Sequence, residues 1–572
     1  MIRRLQKRYA LSEQGAKDLI KGCFACVLQN ISFMFPVGLL YCMVSDLMNG
    51  GVPESRLPFY IVGCILCVGL ILLTTYFQYN ATYFATYTES GVRRITLAER
   101  LREEEGLPLR DAVRPLAQAG ALFFCGSGNN GGDGLALARL LYQQGDIVHV
   151  CYINGISRVS DSFSYQLEIA KKIGIQVTDH IIDSDYDVVV DGIFGVGLKR
   201  DVAGIWRETI ETMNGLVGFK VAIDTPSGVD ASTGQIMGCA FRAGMTVTFG
   251  LNKRGLIFYP GCEISGEVVV RDIGFAQAEV DRVHPVAYSY NRDDLCMLPG
   301  RSDSSNKGTY GKLAVIAGSR DMSGAMTFAA EAAYRMGTGL VKIYTHIDNK
   351  EIAGVRIPEA VLMCYSNKDE AEQCARDAVE WSDAILIGPG IGKGDAARSM
   401  VEYIMCEAVQ TVIADADALN IISEKPDILG RHRGPVIVTP HIGEMSRLTG
   451  AAIPDIKKNI LEVCKDFSME YNVVSALKDA RTCVSDGRDV YINTSGNNGM
   501  STAGAGDVLA GIIAGLVCTG LGAYEAAKLG VYIHGLAGDM AAEHRGRNAM
   551  IAGDIVSAIS EVIKGAEHDG QQ

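Results

Sequence analysis

Short apolar runs that end in glycine- or aspartate-bearing loops recur through most of this chain, and they constrain its fold more than any other feature. Ala121 to Cys125 runs into Gly126-Ser-Gly-Asn-Asn-Gly-Gly-Asp-Gly134 and then an apolar segment, Leu135 to Leu141. Val188 to Val190 precedes Asp191-Gly-Ile-Phe-Gly-Val-Gly197, and Val221 to Ile223 precedes Asp224-Thr-Pro-Ser-Gly-Val-Asp230. The rhythm resumes at Lys312 to Ala317, which leads into Gly318-Ser-Arg-Asp-Met-Ser-Gly324 and the Ala-rich stretch Ala325 to Met336. Ala384 to Ile387 then ends in Gly388-Pro-Gly-Ile-Gly392, Val412 to Ala414 in Asp415-Ala-Asp417, and Val436 to Val438 in Thr439-Pro-His-Ile-Gly-Glu444. Strands that alternate with helices and carry polar residues at their carboxyl ends predict α/β domains with parallel, doubly wound sheets, and functional sites at those ends.

The most chemically pointed loop is Ser495-Gly-Asn-Asn-Gly-Met-Ser-Thr-Ala-Gly-Ala-Gly-Asp-Val-Leu-Ala-Gly511. It follows a strand-like run, Val490 to Asn493, and opens the apolar helical segment Val508 to Leu516. Gly504 and Gly506 leave N–H groups uncovered at a helix start, where dipole and free donors favour an anion. Asp507, on the first turn, is placed to act as a base beside a bound phosphate.

At 572 residues the chain is long enough for three to four units, and 48% hydrophobic residues supply sizeable cores. Its net charge of −13 argues against a nucleic-acid partner, which requires a basic stripe. Sixteen scattered cysteines suit a reducing compartment, and the lone Cys23/Cys26 pair has no second pair to complete a zinc site.

Tyr60 to Phe77 is uncharged throughout and long enough to span a bilayer. Ile31 to Val44 is a second apolar run, whose span has to include Cys26 to Asn30. Arg3, Arg4, Lys7, Arg8, Lys17 and Lys21 precede it, Arg93, Arg94, Arg100 and Arg102 follow the hairpin, and only Arg56 lies between. That bias places both ends in the cytoplasm, so residues 26–80 form a membrane anchor with the catalytic domains on the cytoplasmic side. Residues 1–102 resemble the start of an ABC-exporter transmembrane domain, notably Thr-Glu-Ser-Gly-Val-Arg-Arg-Ile-Thr-Leu-Ala-Glu-Arg-Leu-Arg from Thr88. The chain has no Gly-x-x-x-x-Gly-Lys-Ser/Thr motif, so the segment reads as an anchor or a junction rather than a transporter.

In the first α/β region Asn130, Asp191 and Ser227 are hard oxygen donors suited to a small cation, and the run Asn129, Asn130, Gly131, Gly132, Asp133 supplies amides and a carboxylate for a nucleotide. Together these loops resemble the NAD(P)H-hydrate epimerase domain over Ala121 to Gly274, within a domain spanning 103–275. The resemblance implies a Rossmann-like three-layer fold and epimerisation of hydrated NADH or NADPH, NAD(P)HX. It implies that Asn129 to Asp133 and Gly195, Val196, Gly197, Leu198, Lys199, Arg200 and Asp201 bind the hydrated cofactor. Asn130, Asp191 and Ser227 would hold potassium, and Asp224 would act as acid or base. Only Glu103 to Gly120 separates the glycine loop from transporter-like sequence, a shorter lead than such domains usually carry.

A linker, 276–294, leads to the second α/β region, 295–567. Asn-Lys-Gly-Thr-Tyr-Gly from Asn306, Gly388-Pro-Gly, Thr439-Pro-His and Gly504-Ala-Gly-Asp resemble the ADP/ATP-dependent NAD(P)H-hydrate dehydratase of the ribokinase-like superfamily. The order of the two domains matches bifunctional repair enzymes. The resemblance implies that Ala325, Gly390, His441 and Asp507 contact the substrate hydrate. Lys478, Asp479, Ala480, Arg481, Thr482 and Gly506 would contact ADP or ATP, with Mg2+ bridging its phosphates and Asp507 catalytic. Ile442, Asp479 and Ala505 depart from the usual proline, glycine and threonine. His441 has a plainer alternative as a turn histidine bonded to backbone, and Lys478 as a solvated loop cation. The whole implies a homo-oligomeric repair enzyme; the alternatives are a ribokinase-type small-molecule kinase, or a membrane-tethered fragment with inactive soluble domains.

Overall fold

The computed structural model describes residues 13–48, 56–77, 120–152, 159–181, 186–283 and 285–569. Two compact units are present. One comprises the described residues up to Gly195 with Thr212–Ser227 and Ala243–Val247; the other comprises Val196–Glu211, Gly228–Arg242 and the chain from Thr248 onward.

The first sheet contains β1 (Ala121–Cys125), β2 (Val148–Tyr152), β3 (Gln176–Thr178), β4 (Val188–Gly192), β5 (Phe219–Ile223), β6 (Met245–Phe249) and β7 (Glu267–Arg271), in the order β3-β2-β1-β4-β5-β6-β7. Pairing from β3 through β6 is parallel. β1 and β4 are buried along their whole length, as their unbroken apolar runs require when helices cover both faces. Chain order reverses between β1 and β4, so their carboxyl ends frame a crevice.

The second sheet contains β8 (Lys312–Ile316), β9 (Leu340–His346), β10 (Val361–Tyr365), β11 (Ala384–Ile387), β12 (Thr411–Ala414), β13 (Val436–Val438), β14 (Val474–Leu477), β15 (Cys483–Ser485) and β16 (Val490–Ile492). Its order is β10-β9-β8-β11-β12-β13-β14-β15-β16, parallel as far as β14 and antiparallel over the last two pairs. Side chains alternate between two cores. Leu313 and Val315 join Val508, Ile512 and Ile559 on one side, while Ala314 and Ile316 join Met400, Ile404 and Phe467 on the other. The helix Ala505–Cys518 is buried nearly throughout and packs on the Ala-rich helix Ser323–Arg335, whose small side chains admit a close approach. Here the reversal lies between β8 and β11.

Two boundaries differ from the sequence expectation. The first-sheet helix starts at Asn129, not Leu135, so the 129–133 segment forms its opening turns. Gly131 permits this: a Cβ there would lie 1.7 Å from the Gly126 carbonyl oxygen. The 276–294 segment, read as a linker, is ordered where described. It carries a helix, Gln277–Val283, and Tyr288 pairs with β16, its N–H donating to Val490 O at 3.0 Å.

In the front segment, described helices cover Glu13–Ser32, Met34–Met48 and Leu57–Phe77. Two stretches, Cys23–Asp46 and Leu57–Phe77, are long and apolar enough to cross a membrane. Polar contacts join them at both ends: Ser32 Oγ lies 2.9 Å from Thr74 Oγ1, and Tyr60 Oη donates to Asp46 at 2.7 Å. The remaining expected anchor residues, 49–55 and 78–80, and the transporter-like stretch from Thr88 lie outside the described residues.

Candidate active site

At the reversal in the second sheet, Gly318 N–H donates to Pro389 O at 2.8 Å and Ser319 N–H to Gly390 O at 2.6 Å, locking the β8 and β11 loops together. Gly390 stands so close to Ala325 that a carbon added to it would lie 2.9 Å from the Ala325 Cβ. Gly392 N–H donates to Asp417 Oδ2 at 2.9 Å, linking this wall to the loop after β12. Ala325 and Gly390, expected to meet one ligand, therefore share one wall.

The next wall is polar. Asp415, Thr439 and Lys478 each stand one residue beyond their strands, β12, β13 and β14. Thr439 Oγ1 and Lys478 Nζ both donate to Asp415 Oδ1, at 2.6 and 2.8 Å. Asp415 is buried, and the Lys478 side chain is only 20% exposed, which rules out a freely solvated cation. Burial works to lower the Lys478 pKa, but the facing carboxylates of Asp415, Glu444 and Asp507 outweigh it and hold it above its ordinary value. The ammonium lies 3.5 Å from where a Gly506 Cβ would project. Asp479 and Ala480 are exposed on the turn joining β14 to β15, and Arg481 donates to Thr494 O at 2.8 Å.

Asp507 occupies the first turn of Ala505–Cys518. Burial first, then the Asp415 carboxylate, push its pKa up to about 7 against the pull of Lys478, with Asp417 adding to the rise. A carboxyl poised there accepts a proton readily near neutral pH. His441 takes the plainer of its two sequence readings locally: it N-caps the helix Ile442–Thr449, its Nδ1 accepting from Gly443 N–H at 2.9 Å. That assigns the ring proton to Nε2, which lies 3.4 Å from Glu444 Oε1. Burial, then Lys478 and Arg447, hold its pKa below the ordinary value, which favours the neutral ring.

In the first sheet, Asn130, Asp191 and Ser227 do converge. Asp191 is fully buried, and accepts from Ser227 Oγ at 2.6 Å, Ser227 N–H at 2.7 Å and Ile193 N–H at 3.1 Å. Asn130 Nδ2 donates to Phe194 O at 2.9 Å, and Gly195 packs against the Asn130 side chain. Burial still pushes the Asp191 carboxyl up to about 6, above these hydrogen bonds' lowering effect. Asp224 follows β5 in the left-handed region, φ 65°, on the loop that carries Ser227. Beyond Gly195, the expected binding loop is largely exposed at Val196, Gly197, Lys199, Arg200 and Asp201.

Several titratable groups that surround Lys478 had no role assigned from the sequence. Asp415 had a signal, an acid directly after an apolar strand, but its partner stands 63 residues away. Glu444, 5% exposed, and half-buried His534, whose pKa is pushed down to about 4 by burial and then by Lys478, gave none.

Residues 313–561 match the family model described as NAD(P)H-hydrate dehydratase, and residues 99–255 match that of the YjeF-related protein N-terminus. The bifunctional NAD(P)H-hydrate repair enzyme Nnr of Moorella thermoacetica is 37% identical over 499 residues, covering 82% of this chain and 93% of that protein. The enzyme of the same description from Thermofilum pendens is 34% identical, covering 81% and 89%. A solved ADP/ATP-dependent NAD(P)H-hydrate dehydratase from Bacillus subtilis, co-crystallised with ATP/Mg2+, is 29% identical over 50% of this chain and 99% of its own, with a TM-score of 0.45. With an epimerase-type domain followed by a dehydratase domain, this chain belongs to the family of bifunctional NAD(P)H-hydrate repair enzymes.

Proposed function

We propose that the 295–567 domain, of ribokinase-like type, dehydrates the S epimer of NAD(P)H hydrate by phosphoryl transfer from ADP or ATP, with Asp507 as the base. The observation that carries this is the juxtaposition of Asp507, its pKa pushed up to about 7, with the 504–506 turn and the Lys478 ammonium. Ala325, Gly390 and His441 line the hydrate; Lys478 to Thr482 and Gly506 hold the nucleotide. Asp507 takes the proton of the C6 hydroxyl while that oxygen attacks the terminal phosphorus and the bond to the nucleotide's bridging oxygen breaks. The backbone N–H groups of 504–506 stabilise the charge on the transferred group. The C6–O bond then breaks with loss of phosphate, helped by the ring-nitrogen lone pair, and loss of a C5 proton restores the dihydronicotinamide. Mg2+ would be carried by the nucleotide's phosphates, where it would offset their charge during transfer.

The 103–275 domain interconverts the R and S hydrates, with Asp224 moving the proton and Asn129 to Asp133 and Gly195 to Asp201 holding the cofactor. Asn130, Asp191 and Ser227 would hold potassium there. The buried carboxylate, with no cationic side chain among its hydrogen-bond partners, supports a bound cation there. Residues 1–102, read as transporter-like sequence, serve as a membrane anchor that leaves the catalytic domains in the cytoplasm, and the enzyme assembles as a homo-oligomer. The test is Asp507→Ala: loss of nucleotide-dependent NADH formation supports the assignment, and survival of that activity removes it.

A further inference from the structure

Three adjacent parallel strands deliver Asp415, Thr439 and Lys478 to one hydrogen-bonded chain whose free end reaches the 504–506 turn. Asp415 is 1% exposed and Thr439 fully buried, so neither has a solvent role. One carboxylate oxygen of Asp415 takes both donors, Thr439 Oγ1 at 2.6 Å and Lys478 Nζ at 2.8 Å. Lys478 is tethered again through its backbone, its N–H donating to Pro440 O at 2.7 Å. A lysine side chain is long and rotamer-rich, and left alone would sweep a wide volume. Here it is fixed at both ends.

We propose that Asp415 is a positioning residue: it holds the Lys478 ammonium against the 504–506 turn, in register with the phosphoryl group in transit, and keeps it from pairing with Asp507. This rests on the reading of that turn as the phosphoryl-transfer site. Asp415 itself touches neither the nucleotide nor the hydrate. The arrangement decides which acid the Lys478 ammonium serves, with Arg447 standing on the His441 and Glu444 side of the cluster. Asp415 and Asp417 come from the loop after β12, Glu444 and His441 from the Ile442–Thr449 helix start, and His534 from the helix Ala523–Arg545. With Asp507 these are the titratable groups around Lys478. Were the tether cut, the ammonium would be free to swing to Asp507, the base would be paired and its pKa would fall.

The experiment is a double-mutant cycle in the full chain, with Asp415→Asn and Lys478→Met, read as steady-state rates across pH with ADP or ATP. Asp415→Asn is expected to lower kcat about tenfold to a hundredfold, to leave KM for the hydrate within about twofold, and to move the acid limb of the pH profile downward. In the Lys478→Met background the same change is expected to cost no more than about threefold, because its partner is already gone. Additive losses, or an unmoved acid limb, overturn the proposal. Thr439→Val, which removes one donor to Asp415, repeats the cycle on a smaller scale where Asp415→Asn fails to fold. Failure of the underlying site reading shows separately, as activity that survives Asp507→Ala.

Discussion

Gly504 faces the Phe328 ring so closely that a Cβ added to it would lie 2.7 Å from two ring carbons, in a residue already at φ 91°. Gly504 is the N-cap of the helix Ala505–Cys518, so the contact fixes the turn that leads into Asp507. Gly504→Ala is expected to destabilise the fold by about 1–3 kcal/mol through the left-handed backbone and the clash. Urea midpoints check it, and the paired change Gly504→Ala/Phe328→Ala recovers the clash share but not the backbone share.

With Asp507 as the proposed base, its ionisation is expected to set the pH dependence. The base must be ionised, so nucleotide-dependent turnover is expected to rise about tenfold per pH unit below an apparent pKa near 7 and level off above it. Stability moves the other way. The folded pKa lies above the unfolded value, so the folded state binds more protons; this contribution is full below the unfolded pKa near 3.8 and lost as pH rises through about 7. Asp507→Asn is therefore expected to stabilise the protein by about 1–3 kcal/mol at about pH 8 and much less at about pH 5, while abolishing turnover. Denaturant titrations at the two pH values check the sign.

On the proposed reading of the Asp191–Ser227 pair as part of a cation site, epimerisation is expected to be cation-dependent. Replacing potassium by a bulky organic cation is expected to stop interconversion of the two hydrates while dehydration of the S epimer continues. Ser227→Ala is expected to raise the potassium concentration needed for half-maximal epimerisation about 10-fold or more. Chromatographic separation of the hydrates over time measures both.

The two apolar helices, Cys23–Asp46 and Leu57–Phe77, expose large apolar side chains such as Phe24 at 68% and Leu66 at 67%. The full chain is expected to sediment with membranes and resist extraction by high salt and alkali, and a chain starting at residue 103 to stay in the supernatant. Release of the full chain by salt alone would contradict the anchor.

The legible part of the site was the part written in contiguous residues. A strand, a glycine turn and an acid at the next helix start single out Asp507 without tertiary information, whereas Asp191 was read as an oxygen donor after an apolar strand and Asp224 through the family resemblance. Lys478 was ambiguous because its meaning lies in Asp415, a partner contributed by another strand end. His441 had two readings, and the structure realises the capping one through an N–H pattern two and three residues on. The helix start at Asn129 was misplaced because glycines read as loop; only the close approach of Gly131 to the Gly126 carbonyl shows why they begin a helix. The docking of Tyr288 on β16 depends on that strand's place at the edge of the sheet, which no local pattern announces.

The central claim is that the Asp507 site couples phosphoryl transfer to elimination. The direct measurement incubates the full chain, in detergent, with the separated hydrate epimers and ADP or ATP, and follows dihydronicotinamide absorbance together with inorganic phosphate. The account predicts one phosphate released per dihydronicotinamide formed from the S epimer, with none formed when nucleotide is omitted or Asp507 is alanine. A stable phosphorylated product without dihydronicotinamide, or dehydration without nucleotide, would contradict it.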